Sequence, residues 1–316
     1  MQLLKKFAAL CAAAMLCTSA LCGCNTTQTD EDTLTVVATV YPSYDFAVQL
    51  TEHFDVQCNV RLLLTPGGES HSYEPSPADV AAIQSCDLFL YIGGASEVWV
   101  EDLLKTRSDK ANLRLMDYVT PIATTHDHEE HDHDIDAASV AEYDEHIWTA
   151  PLNAVAMTEA IADKIAALSP ENKAVCEQNE ETLCAEFKRL DTEYRALADT
   201  AADKPLVFGD RFPFLYLAEA YGFAYEAAFT GCTSDTDASA ATLSALITMV
   251  QEQQIGTVFY LENSSRKIAD AICEATGAEA AMLHSCNNVT REEFESGKHF
   301  QAFVQENLTV LKEALQ

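Results

Sequence analysis

The chain has 316 residues, with 50 acidic against 19 basic side chains and a formal net charge of −31. That balance excludes a nucleic-acid surface, which needs a basic face. It suits a body that avoids anionic lipid and attracts cations within a Debye length of ~8 Å. The length is enough for two lobes, each with its own core.

At the start, Lys5 and Lys6 precede an apolar run from Phe7 to Leu21 that is too short to span a membrane. Residues 1–23 therefore read as a signal peptide. The run ends in Leu21-Cys22-Gly23-Cys24, which resembles the bacterial lipobox and makes Cys24 the expected lipid-bearing residue. Cys22 does not suit that role, because Ser19-Ala20-Leu21 lacks a small residue before the cut; an ordinary secretory signal with incidental cysteines is the alternative. Residues 24–33 are polar and aperiodic, as expected of a tether. Cleavage removes two lysines and no acid, leaving a net charge of −33.

Beyond the tether, short apolar runs rich in β-formers alternate with helical patterns. Strands are expected at 33–40, 60–64 and 87–93, and again at 205–209, 256–261 and 280–285. Alternating strand and helix implies parallel sheets. Ser76-Pro77-Ala78-Asp79 and Ser169-Pro170-Glu171 each offer an N-cap serine, a proline at the first helical position and an early carboxylate. Between the two strand groups, 151–200 is helical apart from the Ser169-Pro170 break. Its second part, about 30 residues or roughly 45 Å of helix, reads as a rigid strut. The domains expected are an N-terminal lobe over 34–150, a helical linker over 151–200 and a C-terminal lobe over 201–316.

Seven cysteines remain after the signal and Cys24 are set aside: Cys58, Cys86, Cys176, Cys184, Cys232, Cys273 and Cys286. The odd number leaves at least one unpaired. Cys176 and Cys184 sit about 12 Å apart along one helix, beyond disulfide reach, and read as buried apolar filling. The sequence leaves pairing among the other five open.

Three histidines fall where strands give way to the next segment, the end at which α/β folds hold their ligands. His71 follows the strand at 60–64, His146 precedes the helix at 151, and His284 closes the strand at 280–285. Neutral imidazole suits zinc and other late transition metals in sites of three or four donors. A separate stretch, THDHEEHDHDID over 125–136, holds four histidines and six carboxylates but only one apolar side chain, Ile135. It has no face to pack, so each metal bound there must offset the entropy of ordering the loop, and binding is expected to be weak and fast. His53 and His299 read as solvated. Trp99, Trp148, Tyr41, Tyr44 and Tyr73 read as packing at the lobe interface.

VVATVYPSYDFA, PGGESHSYEPSPADVAAIQSCDLFLYIGG with EVW, DEHIWTAPLNA, the YGF after Tyr216, and ATGAEAAMLHS together resemble the metal-binding lipoproteins of zinc and manganese ABC importers. The resemblance covers nearly the whole mature chain. It implies two α/β lobes with parallel sheets joined by one long rigid helix, and a metal site in the cleft between them. It also implies that His71 and His146 are the first two ligands, and that the acidic loop with His126, His128, His131 and His133 is an auxiliary zinc-collecting segment. The pattern departs at the third ligand, where the family has histidine or glutamate and this chain has Phe208-Gly209-Asp210-Arg211, with Gly209 or Arg211 at the ligand position. It departs again at the fourth, in Leu283-His284-Ser285-Cys286. The expectation is that His284 supplies the missing imidazole, with Asp210, Glu262, Cys286 or water completing the shell; Arg211 pairing with Glu262 is the alternative.

The function implied is a lipid-anchored receptor on the extracytoplasmic face of the cell membrane. It would be a monomer and not an enzyme, capturing Zn²⁺ as cargo for an ABC permease and its ATPase. Mn²⁺ is the alternative cargo if more carboxylates enter the shell. A zinc hydrolase is the rival from another class, since three histidines and an open position also make a catalytic site. Against it, the chain has no H-E-x-x-H helix and no nucleophile elbow. A metal buffer or adhesin built on the acidic loop is the third reading.

Overall fold

The computed structural model describes residues 33–68, 72–107, 110–124, 143–201, 204–229 and 238–315. The expected signal peptide, Cys24, His71, Cys232 and the loop histidines His126, His128, His131 and His133 lie outside the described residues.

In the N-terminal half, β1 (Leu34–Ala38), β2 (Cys58–Leu62), β3 (Leu88–Tyr91) and β4 (Ala111–Arg114) form one parallel sheet in the order β2-β1-β3-β4. In the C-terminal half, β5 (Leu206–Phe208), β6 (Tyr225–Ala227), β7 (Thr257–Leu261) and β8 (Glu279–Leu283) form a second parallel sheet in the order β6-β5-β7-β8. The order is the same in both lobes: the second strand lies outside the first, and the third and fourth follow on the other side. The chain therefore changes direction between β1 and β3, and again between β5 and β7. Loops diverge at such points and open a crevice beyond the carboxyl ends of the strands.

Period-two alternation divides each central strand between two cores. Val36 and Ala38 of β1, Leu88 and Leu90 of β3, Phe208 of β5 and Phe259 of β7 all point into one continuous apolar core. Val37 and Phe89 face a second cluster, packed with Ile83 of α2 (Pro77–Ser85) and Val100 of α3 (Val98–Leu104). Val207 and Val258 face a third. The shared core also takes in α1 (Tyr41–Leu50), α4 (Pro151–Leu168) and α5 (Lys173–Ala198). Two edge strands escaped the sequence pattern. Alanine-Asn-Leu-Arg in β4 and Tyr-Glu-Ala in β6 are short and polar, and edge strands need no continuous apolar run.

Ser76 caps α2 as its sequence implies: its hydroxyl accepts from Asp79 N while the Asp79 carboxylate accepts from Ser76 N at 3.0 Å. Ser169 does not cap α5. Pro170–Asn172 form a separate single turn, Ser169 Oγ donates to Glu171, and the helix starts at Lys173. Its 26 residues span about 39 Å. Helices α4 and α5 fold back on each other, with Cys176 Sγ directed at Ala162 O.

The C-terminal lobe continues with α6 (Leu215–Tyr221), α7 (Ala240–Glu252), α8 (Lys267–Thr276), α9 (Arg291–Ser296) and α10 (Phe300–Leu315). Hydrogen bonds tie the lobes together at several points. Tyr41 Oη donates to Lys298 O, and Phe300 N donates to Asp45 at 2.9 Å. His299 Nδ1 lies 2.9 Å from Asp45 Oδ1, so His299 is a half-buried inter-lobe contact and not the solvated residue its sequence setting implies. Trp148 Nε1 donates to Ser285 O at 2.8 Å, and Tyr44 stacks on Phe294. Tyr73 and Trp99 instead pack on each other within the N-terminal lobe. The six described cysteines are all free thiols.

Candidate metal centre

A cavity of about 250 Å³ opens where the carboxyl ends of the two sheets meet. Gly67 and Gly68 line it from the loop after β2, His146 from the segment before α4, Arg211 from the loop after β5, Glu262 from the end of β7, and Ser285 and Asn287 from the loop after β8. Gly67 has φ +83°, a conformation that favours glycine. Asn288 fastens this loop to the C-terminal lobe: its Nδ2 donates to Thr65 O and Gly68 O, both at 2.8 Å, and Gly67 N donates to Val289 O at 2.8 Å. The chain leading to His71 is thereby tied across the cleft as far as Gly68, the last described residue before it.

His146 is only 3% exposed, yet it reaches the cavity. Asp144 Oδ1 accepts both His146 N at 2.8 Å and the ring Nδ1 at 3.2 Å. A carboxylate on Nδ1 favours the tautomer that carries its proton there and raises the basicity of Nε2. Asp144 is itself held by Ile122 O, which accepts its N–H, and by Tyr216 Oη, which donates to its carbonyl at 2.9 Å. The Trp148 indole meets the imidazole edge to face. Asp144 stands within the DEHIW motif, but its part in holding His146 could be read there only from the Asp-x-His spacing.

Glu262 lies across the cavity. Its carboxylate accepts Ser285 N at 2.7 Å and the Ser285 hydroxyl, and burial pushes its pKa up against the pull of His284 and Ser285. A buried carboxylate held in this way is a donor whose remaining lone pairs suit a cation.

The other expected donors do not line the cavity, although His284 Nδ1 lies 3.7 Å from Glu262 Oε1. The main chain of His284 is clamped by Asn307, whose side chain accepts from His284 N and donates to His284 O at 2.7 Å each. Its ring lies against Phe303 of α10, centroid to centroid 4.3 Å. Nδ1 accepts from Cys286 N at 3.0 Å, and Nε2 sits 3.6 Å from Glu293 Oε2. That imidazole, with the Thr290 N–H and hydroxyl, holds Glu293 down to about 2. Cys286, two residues on from His284, has φ +60°. Cys286 is 1% exposed, its thiol is pushed well above the usual range by burial, and it lines an internal hole rather than the cleft. Asp210 is spent on the backbone, accepting Arg211 N at 2.8 Å and Leu261 N at 3.1 Å. A Cβ on Gly209 would lie 2.4 Å from Ala269 Cα, so close packing on α8 requires glycine there. Of the two residues at the expected third-ligand position, Arg211 is the one in the cleft.

Two parallel-sheet lobes joined by a long helix, with a buried histidine where their strand ends face each other, define a two-lobed solute-binding protein. The chain belongs to the ZnuA family, zinc-uptake complex component A periplasmic, which matches residues 36–314. It is 31% identical over 308 residues to the high-affinity zinc uptake system protein ZnuA of Bacillus subtilis, covering 94% of this chain and 93% of that protein. It is 30% identical over 303 residues to the zinc-binding lipoprotein AdcA of Streptococcus pneumoniae, covering 95% of this chain but spanning only 59% of AdcA. The Zn(II)-bound ZnuA-like domain of Streptococcus pneumoniae AdcA superposes with a TM-score of 0.74 at 29% identity, covering 90% of this chain and 99% of that domain. The metal-dependent lipoprotein YcdH of Bacillus subtilis gives 0.75 at 28%, covering 90% and 100%.

Proposed function

We propose that the chain is the extracytoplasmic receptor of an ABC importer, capturing Zn²⁺ in the inter-lobe cleft as cargo for a permease. The observation that carries this reading is His146, buried where the strand ends meet, lining the cleft and oriented by Asp144, whose Oδ1 lies 3.2 Å from its Nδ1. His71, on the loop that Asn288 ties across the cleft, is the second imidazole in this reading, and Glu262 the carboxylate. Two imidazoles and one carboxylate suit zinc better than manganese, which prefers a shell richer in oxygen. The Arg211 guanidinium lines the same cavity and cannot coordinate a cation, so water or an anion completes the shell. The ZnuA and AdcA relatives are named for zinc uptake or zinc binding, which supports the same cargo.

In this reading the protein works as a monomeric receptor rather than a catalyst, and Cys24 carries the lipid that holds it at the membrane. The acidic loop over 125–136 collects zinc at the mouth of the cleft. Zinc titration of the demetallated chain tests the assignment. His146→Ala is expected to abolish the tight site, whereas deletion of 126–133 leaves one tight site and slows capture from chelators. A loop deletion that removed the tight site would transfer the primary role to the loop.

A further inference from the structure

Outside the cleft, α4 and α5 bring three possible donor atoms together on their shared surface. A carboxylate oxygen of Glu159 on α4, one of Glu180 on α5 and Cys184 Sγ all lie within 4.8 Å of one another. The sequence accounts for the convergence: Glu180 and Cys184 are four residues apart and share a helix face, and the fold-back of α4 sets Glu159 opposite them.

Acidic side chains on a helix surface are ordinarily solvated, and the thiol is what distinguishes this cluster. Cys184 is 4% exposed, as apolar filling would be, but its sulfur faces two carboxylates and, among the described residues, has no hydrogen-bond partner. Among the described residues, neither Glu159 nor Glu180 has a hydrogen bond or an ion pair, and Asp163 and Glu177 add further negative charge around Glu180. Lys188, one turn beyond Cys184, acts on the pair only at a distance. Burial pushes the thiol up to about 12, with Glu159 and Glu180 adding to the rise.

We propose that Glu159, Glu180 and Cys184 form a second cation site, separate from the cleft, that takes Zn²⁺ through one thiolate and two carboxylates with water as the fourth ligand. The thiol proton leaves to solvent as the Zn–S bond forms. A tetrahedral zinc shell with Zn–S near 2.3 Å and Zn–O near 2.1 Å sets neighbouring donors about 3.5 Å apart. Small side-chain rotations close the present spacing to that value. The sulfur selects zinc over Mg²⁺ and Ca²⁺, which take oxygen ligands. Exposure of Glu159 leaves an entry path, and the bound ion pins α4 to α5 midway along the strut between the lobes.

Cobalt(II) substitution tests this without relying on the cleft, because only a thiolate ligand produces a sulfur-to-cobalt charge-transfer band in the near ultraviolet. The full chain is titrated with Co²⁺ as wild type, His146→Ala, Cys184→Ser and the double variant Glu159→Gln/Glu180→Gln. The band is expected in wild type and in His146→Ala, and is expected to vanish in Cys184→Ser. In the double variant its midpoint should shift by about tenfold or more, since even outer-shell losses cost about 10–100-fold. Should Cys184→Ser not fold, the double variant, altered only at exposed and half-buried carboxylates, carries the test alone. Absence of the band in wild type, its persistence in folded Cys184→Ser, or an unshifted midpoint in the double variant overturns the proposal. His146→Ala separates this result from the reading of the cleft.

Discussion

Asp144 is the most direct handle on the cleft, because its carboxylate does two separable jobs. It satisfies the buried N–H of His146 at 2.8 Å and orients the ring through Nδ1 at 3.2 Å. Asp144→Asn keeps an acceptor oxygen but removes the charge that raises imidazole basicity. The loss expected from such an outer-shell change is about 10–100-fold in zinc affinity, or roughly 1.4–2.7 kcal/mol. Stability should hardly change. Asp144→Ala also strands the His146 N–H in a site where the histidine is 3% exposed, adding about 1–3 kcal/mol of destabilisation. Zinc affinity by competition with a fluorescent chelator, set beside urea melts of the metal-free chains, distinguishes the two effects. If Asp144→Asn binds zinc as tightly as wild type while His146→Ala does not, the carboxylate is only a structural acceptor and the orientation argument fails. If His146→Ala also binds as wild type, the cleft is not the site.

His284→Ala should leave the cleft site intact and destabilise the fold by about 2–4 kcal/mol, because Cys286 N loses its acceptor and Phe303 its packing partner; loss of tight zinc binding in a stably folded variant would restore His284 as a ligand. Arg211→His should tighten zinc binding by about tenfold or more, since it exchanges a cation in the cavity for a third imidazole, and isothermal titration at constant pH reads the change. The pKa of His299 is raised above 6.5, chiefly by its hydrogen bond to Asp45 and against the effect of burial. The protonated form is therefore favoured in the folded state, so this contribution is complete below about pH 6.5 and is lost as pH rises through the folded value. The gap in melting temperature between wild type and His299→Gln should narrow with increasing pH, and a gap that widens refutes the assignment.

Where side chains alternate under two-sided burial, the fold was legible in the sequence. TLTVVATV and DLFLYIG carry apolar residues on both faces because β1 and β3 lie between two cores, and the six strands expected from such runs are present. The edge strands β4 and β6 were not legible, since Ala-Asn-Leu-Arg and Tyr-Glu-Ala are short and carry no apolar run, unlike the edge strands β2 and β8. The site divides in the same way. His146 was visible in its motif, and Glu262 as an acid at the end of a strand. His284 occupies an equivalent strand end, but its main chain is clamped by Asn307 and its ring packs on Phe303, both of α10, and no pattern in Leu283-His284-Ser285-Cys286 announces those long-range contacts. Asn288 went unnoticed because its role depends on carbonyls more than 200 positions away in the chain.

The apolar core that runs unbroken from β1 and β3 through α4 and α5 to β5 and β7 limits how cargo can be discharged. Prising the lobes apart like a clamshell would bring Phe46, Phe187 and Phe300, which pack on one another across the boundary, into water. Each such ring costs about 1.5–3 kcal/mol to expose. At the rim, the loops are joined by hydrogen bonds such as those from Asn288 to Thr65 and Gly68, each worth about 0.5–1.5 kcal/mol. Opening the rim is therefore cheaper than opening the hinge: a partner that loosened the Asn288 latch would free the Gly67–Gly68 loop that lines the cavity with His146 while the lobes stayed together.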